Sequence, residues 1–290
     1  MRLGFSLDPR LQLDAGDELA LVKRGAELGY ESVWTPATPE PEAFDRCLRW
    51  YEAAGLPVGI AVVPASGQPP DVYAERARRV HEETGGNFWF GVGSGQMLHA
   101  AEGMRDYLER LRDLLPGGPP IYLAALGPLM LRLAAEAADG VSLNWCSAEA
   151  VAWSRQRVEA AASAAGRPAP VLSMYIRTCV DPDAEVARDT LGRAALMYAL
   201  GPPAYRRHYE RMGFTEELRS LEEGSAQPSA AFLAASGAAG APGEVRSHFE
   251  SIAAGGLDVA IVRVLSPRPG DTEAVVRALE ECAPKAAAPD

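Results

Sequence analysis

Residues 120–131 combine residue types that could bind a phosphate. A short apolar strand is predicted to end at Ala124 or Ala125, and a helix is predicted to begin at Pro128. Proline is favoured at the first helical position, and the preceding Gly127 lets a ligand approach the backbone closely. The unpaired N–H groups at a helix start attract anions. The pattern predicts an anion site at this strand tip, with an ordinary strand-to-helix turn as the alternative.

A glycine-rich turn spans residues 91–95 and follows another predicted strand. It is not a dinucleotide-binding fingerprint, because Gln96 stands where that motif requires its third glycine. A turn with few Cβ atoms would let a planar ring lie against the backbone. A flexible turn is the alternative. The residues predicted to contact a cofactor here are Gly91, Val92, Gly93 and Ser94.

The other predicted strand tips carry few ionisable side chains. A hydrolase or lyase would place a carboxylate, histidine or lysine there, so this pocket suits a flat apolar cofactor that brings its own chemistry. Trp34 would either wall the pocket or lie in the core. Arg177 and Arg263 would meet acidic groups of a substrate or cofactor, or each would form an internal barrel ion pair or a salt bridge to a loop. The pocket candidates are Trp34, Thr38, Asn144, Arg177 and Arg263.

Strands and helices alternate along the chain, which would bring these tips together. The third predicted strand is nearly all apolar, as in a parallel sheet that is covered on both faces. Eight β/α units in 290 residues predict a TIM (β/α)8 barrel, with its functional residues at the C-terminal strand ends. A doubly wound open sheet is the alternative. A helical insertion with several breaks, 183–255, separates strands seven and eight. The predicted strands are 2–7, 31–35, 57–63, 87–92, 120–124, 141–144, 170–180 and 257–265.

Composition and charge restrict the class of function. With 28 basic and 39 acidic residues, the net charge is −11, which argues against nucleic acid as a partner. The four cysteines and four histidines lack metal-ligand spacing, so we predict no metal site, no disulfides and a cytoplasmic location. The first residues do not predict a signal peptide, and no apolar run reaches the ~18 residues of a membrane span. These features predict a small-molecule substrate.

Four motifs, in order over nearly the whole chain, resemble the bacterial luciferase-like family of flavin and deazaflavin enzymes. They are GYESVW at 29–34, FGVGSG at 90–95, PIYLAALGPLM at 120–130 and AADGV at 137–141, the last followed by Asn144 and Trp145. Their details look most like the coenzyme F420-dependent branch, similar to methylenetetrahydromethanopterin reductase. The resemblance implies a TIM barrel of the luciferase-like type. We expect one domain over 1–282 and a flexible tail over 283–290.

The resemblance also implies where a cofactor would bind. Coenzyme F420, or FMN as the alternative, would lie at the C-terminal strand ends. A bulge behind the cofactor ring would lie at the end of strand three, and in this family it often contains a non-proline cis peptide. The bulge would involve Ala61, Val62 and Val63, and the backbone that holds the phosphate would be Ala125, Leu126, Gly127 and Pro128.

Two features depart from the family pattern. Family members often have a carboxylate or histidine just after strand two, where this chain has Ala37 and Thr38. They also commonly have a long insertion between strands four and five, where this chain has one predicted helix, 97–115. The proton donor and the closure of the pocket therefore stay open. The Ala-rich stretch 226–243 is predicted to be a mobile loop or a lid over the barrel.

The leading functional prediction is hydride transfer between F420 and an unidentified small organic substrate, a reaction that depends mostly on positioning. An FMN-dependent monooxygenase of the same fold is one alternative. A cofactor-binding protein without turnover is another, motivated by Ala37 and Thr38 at the usual acid/base position. A phosphosugar enzyme is a further alternative, although ionisable strand-tip residues are few. A homodimer is expected, as for many barrels with apolar outer helices.

Overall fold

Alternating strands and helices build a barrel, and the computed structural model describes residues 1–95, 97–224 and 227–285. The strands are β1 (Arg2–Ser6), β2 (Ser32–Thr35), β3 (Val58–Pro64), β4 (Phe88–Gly93), β5 (Ile121–Ala124), β6 (Gly140–Asn144), β7 (Val171–Val180), β8 (Gly237–Gly240) and β9 (Val259–Val264). The helices are α1 (Ala15–Glu27), α2 (Glu42–Ala54), α3 (Pro70–Glu83), α4 (Ala100–Leu114), α5 (Pro128–Ala137), α6 (Ala148–Ala164), α7 (Ala184–Ala199), α8 (Pro203–Arg211), α9 (Thr215–Glu222), α10 (Ala230–Ser236), α11 (Val245–Ala253) and α12 (Thr272–Glu281).

Eight of these strands close the barrel, each parallel to both of its neighbours. Pairing runs in chain order from β1 to β7, then from β7 to β9, and β9 returns to β1. Closure places all the C-terminal strand ends at one end, which we call the barrel mouth. The predicted TIM barrel is confirmed, and the open-sheet alternative is wrong.

The strand β8 was not expected from the sequence. It lies within the stretch 183–255, which the pattern predicts to be helical with breaks. It pairs with residues 177–180 of β7, beyond Tyr175, where the pairing of β7 with β6 ends. Its sequence, Gly-Ala-Ala-Gly, lacks the β-branched and aromatic residues typical of strands. It is extended because β7 offers it a free edge, so the predicted eighth strand corresponds to β9.

Side chains alternate between two layers along the strands. Outward-facing side chains pack against the helices; the ring centroid of Phe90 in β4, for example, lies 5.9 Å from that of Phe44 in α2. Inside the barrel, Trp34 is fully buried and stacks on Trp89 at 5.4 Å between ring centroids. Trp34 is therefore a core residue and not a pocket wall. The buried members of its cluster are Trp34, Tyr122, Tyr175, Val259 and Ile261.

The connections from β4 to β5 and from β7 to β9 are the two for which the sequence predicts an unusual length or content. In the described residues between β4 and β5, α4 begins at Ala100 and not at Met97, because His99 has a left-handed backbone with φ 50°. Between β7 and β9 lie α7 to α11 together with β8, so the insertion is not wholly helical. In the described part of the predicted lid, 227–243, the chain forms α10 and β8, and the α10 side chain of Phe232 is fully buried.

Two predicted segments, the lid and the C-terminal tail, extend beyond the described residues. Residues 225 and 226, at the start of the predicted lid, and 286–290 of the predicted tail lie outside the described residues. The single domain over 1–282 stays a prediction.

Candidate active site at the barrel mouth

The end of β3 forms a bulge at the barrel mouth. The register of β3 against β4 shifts between Ile60 and Val63, and the Ala61–Val62 peptide bond is cis. Ala61 and Val62 are half-buried, whereas Val63 is fully buried. The bulge and its non-proline cis bond, both implied by the family resemblance, are present. The bulge offers two small apolar side chains to the mouth.

The glycines of β4 make room for this bulge. A Cβ atom on Gly91 would overlap the backbone carbonyl oxygen of Ile60, and one on Gly93 would lie 2.8 Å from Val62 Cγ2. Close packing against β3 is thus a structural reason for glycine at these two positions, and the contact with a planar ring stays a prediction. Gly91, Val92 and Gly93 are buried, and of the four predicted contact residues Ser94 alone is partly exposed.

The predicted phosphate loop follows β5 at the same end of the barrel. Ala125 is buried and donates its N–H to the Ser142 carbonyl oxygen at 3.2 Å, while Leu126 and Gly127 are half-buried. Gly127 precedes α5 with an extended backbone, Pro128 is its first residue, and no side chain caps the helix. The N–H groups of the second and third helical residues therefore have no partner within the helix. This arrangement matches a helix start that can accept an anion.

Arg211, which sequence reasoning missed, lies against this loop. It is the last residue of α8 and donates from Nη2 to the Leu126 carbonyl oxygen at 2.7 Å. A Cβ atom on Gly127 would lie 4.0 Å from the same nitrogen. Arg211 is one of several arginines on a surface helix, and no local pattern indicates that α8 lies beside the loop after β5. The structure thus adds a positive charge to the predicted anion site.

His208, one helical turn earlier, positions Arg211. Its Nε2 lies 2.8 Å from the Trp145 carbonyl oxygen, and its Nδ1 lies 3.4 Å from Arg211 Nη2. A carbonyl oxygen only accepts, so Nε2 carries the proton and Nδ1 is left to accept from Arg211. Burial lowers the pKa of His208 to about 4, which keeps the ring neutral. Cys146 Sγ lies 3.6 Å from Nε2, but burial raises the pKa of this thiol to about 12.

The buried neutral His208 predicts an acid-sensitive fold. In the unfolded chain the ring binds a proton below its ordinary pKa of 6.5, but in the folded chain only below about 4. Stability is therefore lost as the pH falls through this window, by roughly 1 kcal/mol per pH unit from this group. Urea denaturation at several pH values should show a shallower pH dependence for His208→Gln than for the parent. Parallel curves for the two proteins would contradict this assignment.

Arg263, on β9, forms an internal ion pair with Asp8, which follows β1. Their side chains are 5% and 11% exposed. Arg263 also donates to Ser6 Oγ at 3.1 Å and lies 4.6 Å from the centre of the Tyr175 ring. Of the two interpretations of Arg263, the internal ion pair is the one that the structure shows.

Arg177, on β7, is buried without a carboxylate partner among the described residues. It is 4% exposed and donates to Asn144 Oδ1 and to the Tyr175 carbonyl oxygen. Its guanidinium carbon lies 4.1 Å from the Trp145 ring and 5.8 Å from the Tyr198 ring, a cation–π arrangement. Burial and the nearby Arg263 lower the pKa of Arg177 to about 10. The predicted ion pair is absent here, and the barrel mouth keeps a positive charge.

The remaining pocket candidates, Asn144 and Thr38, lie at the mouth and differ in their solvent exposure. Asn144 is half-buried at the end of β6, and Thr38 is exposed beyond β2. Two buried polar atoms of the mouth, Trp145 Nε1 and Tyr175 Oη, have no hydrogen-bond partner among the described residues. Buried polar groups are normally paired, so orphaned ones at a strand-end opening are typical of a site that receives a ligand or water.

In the part of the chain that the structure describes, no group of three or more histidine, cysteine or acidic side chains is arranged to hold a metal ion. Within the same residues, no helix is both long and apolar enough to cross a membrane.

Comparisons with known proteins agree with this architecture. A family model described as luciferase-like monooxygenase matches residues 112–259. The 5,10-methylenetetrahydromethanopterin reductase of Archaeoglobus fulgidus is 26% identical over 183 residues, which cover 51% of this chain and 54% of that protein. The match therefore spans about half the length of this relative.

Solved structures share the fold over nearly their whole length. The coenzyme F420-dependent tetrahydromethanopterin reductase from Methanopyrus kandleri superposes with a TM-score of 0.77 at 18% identity, covering 96% of this chain and 97% of the other. An F420-dependent secondary alcohol dehydrogenase in complex with an F420–acetone adduct gives 0.75 at 15% identity, covering 98% and 99%. A type II Baeyer–Villiger monooxygenase from Pseudomonas putida in complex with FMN gives 0.64 at 14% identity, covering 100% and 99%. With the family model covering more than half of its length, the chain belongs to the luciferase-like monooxygenase family.

Proposed function

We propose that this protein transfers a hydride between coenzyme F420 and a small organic substrate. The observation that carries the proposal is the pairing, at one barrel mouth, of an apolar bulge with an uncapped helix start beside a guanidinium. A flat ring with a phosphate tail fits that pair. Two structural neighbours are named as F420-dependent enzymes. The relative found by sequence is named as a 5,10-methylenetetrahydromethanopterin reductase.

The residues present fit such a cofactor. Its phosphate would accept from the backbone N–H groups around Leu126 and Gly127 and from Arg211, while Pro128 fixes the direction of the helix. Ala61 and Val62 would support the ring, with Ser94 at its edge. The bound cofactor would supply or accept the hydride. The protein would then hold the substrate against the ring and exclude water, which is consistent with the few ionisable groups at the mouth.

An FMN-dependent monooxygenase is the second candidate. FMN also combines a flat ring with a phosphate, and the fold is shared with a monooxygenase in complex with FMN. The homodimer and the cytoplasmic location stay predictions.

Fluorescence titration of the purified protein with F420 and with FMN tests the choice. We expect micromolar or tighter binding of F420 and weak binding of FMN. Preference for FMN would favour the monooxygenase and direct attention to oxygen consumption. Binding of neither compound would overturn the cofactor assignment, and binding without hydride transfer to any acceptor would support a protein without turnover.

Arg211→Gln should weaken F420 binding about tenfold, since it removes one charge-assisted hydrogen bond to the phosphate. The difference should shrink as salt is raised, because salt screens the exposed charge. Arg207→Gln is the matched control: it removes the same charge from an exposed position of the same helix. The two variants are compared by the titration described above. Equal affinities would show that Arg211 does not contact the phosphate.

A further inference from the structure

The hydroxyl of Tyr205, on α8, lies at the barrel mouth in a hydrogen-bond chain whose direction is fixed. Arginine has donors and no acceptor, so the Asn144 atom that contacts Arg177 is the amide oxygen. The Asn144 amide nitrogen therefore faces Tyr205 and donates to its hydroxyl oxygen at 2.7 Å. The hydroxyl oxygen accepts in this bond, so its own proton is directed elsewhere.

Among the described residues, the hydrogen bond found for the Tyr205 hydroxyl is the one that it accepts from Asn144. Its own proton therefore has no acceptor among those residues. Tyr205 and Asn144 are both half-buried, so each residue keeps part of its surface exposed at the mouth. Burial raises the pKa of Tyr205, which keeps the proton in place at neutral pH. Asn144 and the positive charge of Arg177 act in the opposite sense, because both stabilise the anion that remains once the proton leaves.

Other proton donors near this position are engaged or absent. The chain has Ala37 and Thr38 just after β2, and Thr38 is exposed. Both ring nitrogens of His208 take part in hydrogen bonds, and Cys146 is buried with a raised pKa. Asp8 is paired with Arg263. The Tyr175 hydroxyl also has no partner among the described residues, but Tyr175 is buried, at 6% exposed, whereas Tyr205 is half-buried. Among the groups compared, Tyr205 is thus the partly exposed hydroxyl whose proton is directed to no acceptor.

We propose that Tyr205 donates its proton to the oxygen of a carbonyl substrate, an aldehyde or ketone, while Arg177 and Asn144 position its hydroxyl. This inference rests on the proposed hydride-transfer function. The substrate carbon takes a hydride from the reduced deazaflavin and its oxygen takes the Tyr205 proton. The C=O π bond breaks, C–H and O–H bonds form, and the cofactor is oxidised. Water then returns a proton to the tyrosinate, and the reverse sequence oxidises an alcohol.

The first experiment needs neither cofactor nor turnover. Isobutyramide labelled with carbon-13 at its carbonyl presents an acceptor oxygen, and its carbonyl resonance moves downfield when that oxygen accepts a hydrogen bond. We expect saturable binding to the parent with a downfield shift. In Tyr205→Phe the affinity should fall about tenfold, the value of one hydrogen bond, and the shift should be lost. Absence of saturable binding to the parent, or an unchanged shift in the variant, would overturn the proposal.

Asn144→Asp tests the direction of the chain without changing its shape. A carboxylate accepts from Arg177 and also from Tyr205, so the tyrosine proton would be directed inward and withheld from the ligand. This variant should lose the downfield shift as Tyr205→Phe does. Tyr51→Phe removes a hydroxyl from α2 and should behave as the parent. If Asn144→Asp keeps the parent shift, the positioning role of Asn144 is wrong.

The second experiment measures reduction of acetone, cyclohexanone and benzaldehyde by reduced F420 in the same variants. We expect turnover of at least one compound by the parent and a loss of about 100-fold in kcat for Tyr205→Phe, as for removal of a general acid. F420 affinity should be unchanged in that variant. Cofactor binding with no reduction of any of the three, or an undiminished kcat, would count against the carbonyl assignment. Failure of F420 to bind would overturn the proposed function instead. The isobutyramide experiment would still show whether the Tyr205 hydroxyl donates a hydrogen bond to a carbonyl oxygen.

Discussion

Replacing Asp8 with asparagine should destabilise the protein by about 3 to 5 kcal/mol, the cost of leaving one partner of a buried ion pair without the other. The Arg263 and Asp8 side chains are 5% and 11% exposed. Arg263 would keep Ser6 as a partner but would lose its carboxylate. Arg177, which already lacks a carboxylate partner among the described residues, lies against the same Tyr175 ring. The variant would therefore hold two uncompensated cations inside one barrel mouth.

Urea denaturation with a two-state fit would measure this loss. Asparagine keeps an oxygen for the Arg10 N–H, to which Asp8 Oδ1 is bonded at 2.9 Å, so the local turn is preserved. Glu83→Gln serves as the control, because it removes a carboxylate from an exposed pair with Arg79 and should leave the midpoint unchanged. The double variant Asp8→Asn with Arg263→Met should recover much of the loss. Asp8→Asn with parental stability would show that the pair is hydrated and not buried.

Replacing Gly91 with alanine should destabilise the protein by about 3 kcal/mol, at the upper end of the range for overpacking a core. The added methyl would overlap the Ile60 carbonyl oxygen and lie 3.3 Å from Ala61 Cα. Both are backbone atoms of β3, so no side-chain rotation relieves the overlap. The bulge would have to move away from β4. Because Ala61 and Val62 are the proposed support of the cofactor ring, F420 binding should weaken as well.

Gly127→Ala is the matched control for stability. Gly127 has an ordinary extended backbone, and the nearest atom to its Cβ position is Arg211 Nη2 at 4.0 Å. Chemical denaturation should therefore separate the two glycine variants clearly. If Gly91→Ala unfolds at the same urea concentration as Gly127→Ala, the packing of β4 against the bulge does not set its position.

Local patterns in the sequence determined the elements of this fold. The helix α2 has the predicted bounds, Glu42–Ala54, and α5 begins at the predicted Pro128. Strand alternation and helix starts depend on residues a few positions apart, so a single sequence contains the information. Eight such units suffice to predict the barrel, and hence the gathering of Asn144, Arg177 and Arg263 at one mouth. The family resemblance added the bulge after Ile60, which no local pattern indicates.

The tertiary structure decided which groups at the mouth are paired and which are free. Arg263 pairs with the Asp8 carboxylate, whereas Arg177 pairs with no carboxylate among the described residues. Both arginines lie near the C-terminal end of a strand, so the sequence pattern alone does not distinguish them. Arg211 meets a loop 85 residues away along the chain, and Tyr205 meets Asn144 across 61 residues. These contacts depend on how α8 packs over the mouth. That packing is set by buried surfaces of several elements together, so no short window of sequence contains it.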